Sequence, residues 1–372
     1  ISLFIVPKYL VHADGSLGAR NDVQCVSIEH KLGIKASPTA MLQFGDRGGA
    51  IGTLVGRENH GLETMFVMMN AARFAVGVQG IGLAERAYQK AVQYAKERVQ
   101  SKDLEGSAAP VSIIHQPDVR RMLMAMKSQI EAARALAYMT AAAFDVAHHH
   151  ADENVRREQQ AFCEFMVPIV KGWSTEMAID VASTGVQIHG GMGFIEETGA
   201  AQFYRDARIL TIYEGTTAIQ ANDLVGRKTA RDGGATAKAI IEKVNETAAA
   251  LRASKDADLQ AIAEHLSTAS AALADVVAYV VEHIGSDIKG VFAGSVPYLK
   301  MAGIVLGGWQ MARAALIAHR RIGAGEGDAG FMQAKIVTAR FFAGHFLPQA
   351  PAYRSAIVDG SRGVLALAEE QF

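Results

Sequence analysis

"AIGTLVGRENHGLETMF", residues 50–66, is where the chain changes character. Up to Gly56 the pattern is short alternation with β-branched residues and glycine, as in "SLFIVP", "CVSIEHKLG", "AMLQFGD" and "AIGTLVG". Such stretches read as strands, joined by turns at Asp14-Gly15, Gly45-Asp46 and Gly48-Gly49. From Gly61 the apolar spacing becomes three and four, which is the period of a helix with one face in a core. That period continues almost to the C-terminus. The boundary therefore predicts a mainly α protein with a partial β-domain in front.

The spacing predicts helices over 60–100, 118–150, 154–185 and 216–225, then a further set between 235 and 370. Met122, Met126, Ile130 and Ala133 mark the buried stripe of the second. Pro117-Asp118 suits its first turn, whereas Pro168 is expected to kink or interrupt the third. Polar, glycine-bearing joints lie at 101–110, 189–194 and 227–236. The last, "RKTARDGGAT", reads as a domain boundary. The expected division is 1–57, 58–228 and 236–372, with no internal repeat.

Formal net charge is −1, and the Lys and Arg residues are scattered. A nucleic-acid surface normally carries a basic stripe, so no nucleic-acid partner is expected. The two cysteines, Cys25 and Cys163, are far apart. That argues against a disulfide scaffold and fits a reducing, cytoplasmic location. No apolar run is read as long enough to cross a bilayer, so no membrane partner is expected. The chain opens on "ISLFIVPKYL", without Met and already strand-like, and is read as a piece of a longer protein.

Three stretches could carry chemistry. His148, His149 and His150 lie near Asp145, Asp152 and Glu153. Consecutive histidines point in different directions around a helix, and no histidine follows a Glu by three, so a solvated helix end is expected and no metal. "QIHGGMGF" (187–194) offers Gly190, Gly191 and Gly193 between two helices. It follows no strand, which excludes a βαβ dinucleotide fingerprint and leaves a tight turn or a close backbone approach to a ligand.

"IYEGTTAIQ" (212–220) is the third. Thr216 reads as the cap of a short helix closed by Gly226, which leaves Glu214 outside it on a loop bent at Gly215. A capping or dipole-compensating acid would sit nearer the first turn. Ile212 and Tyr213 suggest partly apolar surroundings, which would raise a carboxylate's pKa and suit it to general-base work. The residues alone leave two readings open, a surface loop acid or a base.

"QFYRDARILTIYEGTTAIQ" (202–220), with "QIHGGMGF" before it, resembles the signature near the end of acyl-CoA dehydrogenases. "NAARFAVGVQGIGLAERAYQKAVQYAKER" (70–98) and "IIHQPDVRRML" (113–123) resemble the first helices of that family's C-terminal bundle. "EHKLGIKASPTAMLQF" (29–44) looks like the second half of its central β-domain. Four motifs in order, over residues 1–228, carry the likeness. Residues 236–372 resemble the extra helical domain of the larger bacterial branch, the 3-methylmercaptopropionyl-CoA dehydrogenase-like enzymes. The fold this implies is an acyl-CoA dehydrogenase-like helical bundle, preceded by the end of a β-barrel-like middle domain and followed by an additional α-helical domain.

The resemblance implies FAD-dependent α,β-dehydrogenation of an acyl-CoA thioester, with Glu214 removing the α-proton. By motif position, Arg98, Gln100, His115 and Gln116 would contact FAD across a subunit interface. Gln187, Ile188, His189, Gly190 and Gly191 match the cofactor-contacting turn, with His189 where another aromatic is often found. Thr216 and Thr217 match the start of the flavin-binding helix. Asn70, Arg73 and Gly215 match substrate-contacting positions, with Asn70 where many members have Asp. Some relatives place the base next to that arginine; here the position is Ala72. The aromatic-glycine pair usual after the Arg98 position is replaced by "VQSKD". Implied partners are an acyl-CoA, electron-transfer flavoprotein and further copies in a homodimer or homotetramer. An oxidase passing electrons to oxygen, and a non-catalytic relative used for binding or assembly, are the alternatives.

Overall fold

A computed structural model describes all 372 residues, which divide into two compact units, Ile1–Ala72 and Arg73–Phe372. In the first, three antiparallel ladders form. β1 (Leu3–Ile5) pairs with β6 (Thr53–Val55), β2 (Tyr9–Val11) with β3 (Leu17–Arg20), and β4 (Val23–Ile28) with β5 (Ala40–Phe44). The sequence places strands here because β-branched and aromatic residues alternate between turn residues. No hydrophobic core closes over them, and Phe4, Ile5, Ile28, Met41 and Phe44 are exposed. Buried Asn21 joins the strands instead. Its side-chain amide donates to the carbonyls of Pro7 and Ile51, and its Oδ1 accepts from the Ile51 N–H.

Helix α1 (Gly61–Glu97) begins in this unit and ends in the second. There it is followed by α2 (Pro117–His149) and α3 (Glu153–His189), which pack along one another. Then come α4 (Ala200–Ala207), α5 (Thr217–Asp223), α6 (Ala235–Arg252), α7 (Ala257–His283) and α8 (Ile288–Ala293). The last four are α9 (Ser295–Ala324), α10 (Ala329–His345), α11 (Gln349–Val358) and α12 (Ser361–Val364). One hydrophobic core, from Ile81 to Ile357, joins these helices up to α11. α9 is its axis, buried without a break from Met301 to Ala312 and packed on α2, α3, α5, α7 and α10.

Several local expectations are corrected. Pro168 does not interrupt α3, because every residue from Phe165 to Thr175 is buried and packing holds the helix. α3 also runs on to His189, so Gln187, Ile188 and His189 are its last turn, and only Gly190–Phe194 form the tight 3₁₀ turn. Gly226 does not close a helix. A π-helical stretch, Leu224–Ala230, continues α5, held by buried Leu224 and Val225 and by a 2.9 Å hydrogen bond between Thr229 and Tyr298. Two helices, α1 and α9, are also long and apolar enough to cross a membrane by length and composition. The apolar window of α9 is 78% buried in the protein, as a core helix requires, and that of α1 is 28% buried.

Candidate active site

The loop between Arg208 and α5 is pinned from several sides. Arg208–Thr211 form a 3₁₀ turn, after which Glu214 and Gly215 both adopt the left-handed region, at φ 53° and 87°. For a glutamate that conformation costs about 1–2 kcal/mol, so neighbouring groups must hold it. A Cβ at Gly215 would lie 2.6 Å from Nε2 of Gln220, so the loop also demands glycine for space. Gln220, fully buried, donates from that nitrogen to the carbonyls of Glu214 and Gly215, both at 3.4 Å.

Other helices supply the remaining anchors. Lys171 of α3 donates to the carbonyls of Leu210 at 2.9 Å and Gly215 at 2.6 Å. The Tyr213 hydroxyl donates to Oε1 of Gln79 on α1, and Thr217 donates to Oε1 of Glu176 at 2.5 Å. Thr216 caps α5, its hydroxyl accepting from the Ile219 N–H at 3.2 Å. Every one of these bonds grips backbone or a neighbour. The Glu214 carboxylate makes none of them and is exposed. The partly apolar enclosure expected from Ile212 and Tyr213 is not formed by this chain. Ile212 is itself 46% exposed, and the left-handed turn carries the Glu214 side chain outward.

Burial pushes the Lys171 ammonium down to about 8; Arg73 adds to the effect, and Glu176 and Glu214 oppose it. Arg73 is itself buried. Its Nη1 faces Oδ2 of Asp223 at 3.5 Å, while its Nε is buried without a partner. Asp223 also accepts from Nε of Arg227 at 2.6 Å. Asn70, on the earlier half of α1, is half-buried.

A second locus lies where the end of α1, the Arg98–Gln116 excursion and the end of α3 meet. It is a groove of about 840 Å³. Arg98, Gln100, Gln116 and the run Gln187 to Gly191 all line it, so eight predicted contacts come together. His115 is exposed on a 3₁₀ turn and does not line it, nor do Thr216 and Thr217 at the start of α5. The ring of His189 stacks on Tyr94 with centroids 4.4 Å apart, and its Nδ1 donates to the Gly185 carbonyl at 2.7 Å. Burial lowers its pKa. Beside it, Gly190 and Gly191 leave open space where a Cβ would stand. A guanidinium, several carboxamides and bare backbone are a donor set suited to an anionic nucleotide.

His148 and His149 finish α2 and His150 caps it, all exposed. No group of three His, Cys, Asp or Glu side chains in the molecule is arranged to hold a metal. Sequence reasoning overlooked Lys171, Gln220, Glu176 and Asp223. For Lys171 a signal existed, a lone cation inside "FMVPIVKGW", because lysine is almost never fully buried without partners.

A family model described as "Acyl-CoA dehydrogenase, C-terminal domain" matches residues 59–229, and one described as "Acetyl-CoA dehydrogenase C-terminal like" matches 240–368. The chain is 52% identical over 366 residues to 3-methylmercaptopropionyl-CoA dehydrogenase of Ruegeria pomeroyi, covering 98% of this chain and 61% of that protein. It is 36% identical over 396 residues to a broad-specificity linear acyl-CoA dehydrogenase of Mycobacterium tuberculosis, covering 100% and 63%. The chain thus spans about three fifths of the length of these relatives. The fold matches a solved acyl-CoA dehydrogenase complexed with FAD from Bacillus anthracis. The TM-score is 0.74 at 23% identity, over 98% of this chain and 61% of that one. Its helical fold and these sequence matches agree: the chain belongs to the acyl-CoA dehydrogenase family.

Proposed function

We propose that this chain is the base-carrying part of an FAD-dependent enzyme that converts an acyl-CoA thioester to the trans-2-enoyl-CoA. The observation that carries the reading is Glu214. Lys171 of α3 and Gln220 of α5 hold the backbone of its loop, Gln79 of α1 holds the Tyr213 side chain, and the Glu214 carboxylate is left without a partner on a left-handed turn. A base that must reach an α-carbon needs that combination of fixed backbone and free carboxylate. Glu214 takes the α-proton. The loop geometry keeps the carboxylate aimed while the proton moves, and buried Arg73 and half-buried Asn70 are the substrate-side positions on α1.

The groove residues fit the diphosphate and adenosine of FAD. Arg98 matches the anionic charge, Gln100, Gln116 and Gln187 supply amide donors and acceptors, and the open glycines admit close backbone approach. FAD, when bound, supplies the acceptor for the electrons that leave with the β-hydrogen. Ile188 and His189 shape the groove wall, with His115, Thr216 and Thr217 as contacts from neighbouring elements. In this reading 1–57 closes the middle β-domain, 58–228 carries base and cofactor positions, and 236–372 is the added helical domain. Electron-transfer flavoprotein is the onward acceptor, and the working protein is a homodimer or homotetramer.

The test uses the FAD-loaded full-length protein under anaerobic conditions. Bleaching of the flavin is followed with a panel of acyl-CoAs that includes linear chains and 3-methylmercaptopropionyl-CoA. The wild type is expected to bleach with at least one of them, and Glu214→Gln about a thousandfold more slowly. Equal rates in the two proteins would remove Glu214 as the base.

A further inference from the structure

Lys171 is the one charged residue in the fully buried run Phe165–Thr175, and its side chain has no exposure at all. A charge taken out of water is normally matched by an opposite charge. No carboxylate lies within ion-pair distance of Lys171. Its ammonium is spent on two main-chain oxygens, those of Leu210 and Gly215. These two carbonyls bracket the segment from Thr211 to Glu214, so a single cation ties together both ends of the loop that carries the acid.

We propose that Lys171 is a positioning residue for Glu214, clamping the Leu210–Gly215 loop so that the carboxylate is held in its reactive direction. The proposal rests on reading Glu214 as the base. A left-handed glutamate followed by a left-handed glycine persists only where the surroundings over-determine it. Two groups do so, and they are unequal. Gln220 reaches the Glu214 and Gly215 carbonyls at 3.4 Å, whereas Lys171 meets Gly215 at 2.6 Å with a charged donor, a shorter and stronger bond. Because the peptide is planar and trans, drawing the Gly215 carbonyl toward α3 turns the Thr216 N–H to the opposite side. The same anchor therefore sets the start of α5.

The groups facing the ammonium are Glu176 from its own helix, Arg73 from α1 and Glu214 from the loop. Although burial lowers its pKa to about 8, Lys171 is still mostly cationic at neutral pH. It touches no atom that changes bonding, so its effect on the reaction must pass through Glu214.

The experiment measures FAD content, half-saturating acyl-CoA and the limiting anaerobic bleaching rate in the full-length holoprotein. For Lys171→Met, FAD content and half-saturation should stay within about twofold of wild type. The limiting rate should fall about ten- to a hundredfold, the scale of a misplaced reacting group. The double variant with Glu214→Gln should be no slower than Glu214→Gln alone. A wild-type limiting rate, a deficit that vanishes at saturating acyl-CoA, or additive losses in the double variant overturns the proposal. Should Lys171→Met not fold, Lys171→Gln takes its place, with the same slowed rate expected and a wild-type rate equally decisive against. Glu214→Gln that bleaches normally defeats the base reading itself. A slow Glu214→Gln beside a fast Lys171→Met defeats the positioning role alone.

Discussion

The imidazole of His189 lies on the ring of Tyr94, 4.4 Å between centroids, with its Nδ1–H given to the Gly185 carbonyl. This arrangement accommodates a neutral ring. Protonation is opposed by burial and, more weakly, by Lys90. The folded-state pKa is therefore below the unfolded value near 6.5. In that window the unfolded chain binds more protons, so stability present above about pH 6.5 is lost as pH falls toward the folded pKa. His189→Phe keeps a ring on Tyr94 and removes this proton linkage. Melting curves from pH 8 to pH 5 should show a shallower decline for the variant than for wild type. Parallel declines would mean His189 contributes nothing to the acid sensitivity.

Glu131 joins α2 to α10. Its carboxylate accepts from Lys127 on its own helix and from Lys335 at 2.8 Å, with only 13% of the side chain exposed. Burial pushes its pKa up, but the two ammonium hydrogen bonds prevail and hold it below the ordinary carboxylate value. Its stabilisation is thus present above that ordinary value and lost as pH falls through the folded one. Lys335→Met should cost about 2 kcal/mol at pH 7, the scale of a hydrogen bond to a charged group. The difference from wild type should narrow as denaturation is repeated toward pH 4. A constant difference would point to lost packing by the lysine stem instead.

The change of regime at Gly61 was legible because strand and helix periods differ, and each apolar residue votes for one of them. The groove was largely legible too, since eight of its residues belong to the matched motifs. What escaped depends on long-range packing. Gly226 looks like a helix stop, yet Tyr298, far along the chain, keeps that stretch helical through Thr229. Lys171 escaped for a different reason. Its partners are main-chain carbonyls 39 and 44 residues away, and a carbonyl is the same whatever residue carries it. No pattern of side chains could announce them.

Arg73 and Asp223 form a buried pair, with side-chain exposures of 9% and 6%. Asp223→Ala strands a guanidinium whose Nε already lacks a partner, and should cost about 3–5 kcal/mol. Arg227, the other partner of Asp223, is 56% exposed and turns to water at little cost. Replacing both members, as Arg73→Met with Asp223→Leu, removes the stranded charge as well as the bond. Chemical denaturation should therefore find the double variant more stable than Asp223→Ala. If the double is as unstable as the single, or worse, the cost lies in shape and not in the unpaired charge.

Trp173, two residues beyond Lys171 on α3, is seated against glycines of α9. A Cβ at Gly303 would fall 2.2 Å from its Cγ and 2.6 Å from its Cβ, and one at Gly307 2.7 Å from the far edge of the indole. Gly303→Ala brings two opposed effects. Alanine gains about 1 kcal/mol of helix propensity, while overpacking costs about 1–3 kcal/mol. Packing should win, because the overlap is with the root of the tryptophan side chain, which cannot move without α3. Gly323 supplies the control, since it lies in the same helix with nothing within 4 Å of an added Cβ. Gly323→Ala should raise the melting temperature and Gly303→Ala lower it. If both substitutions shift it upward, α3 and α9 are not in the close contact that places the added helices against the Lys171 segment.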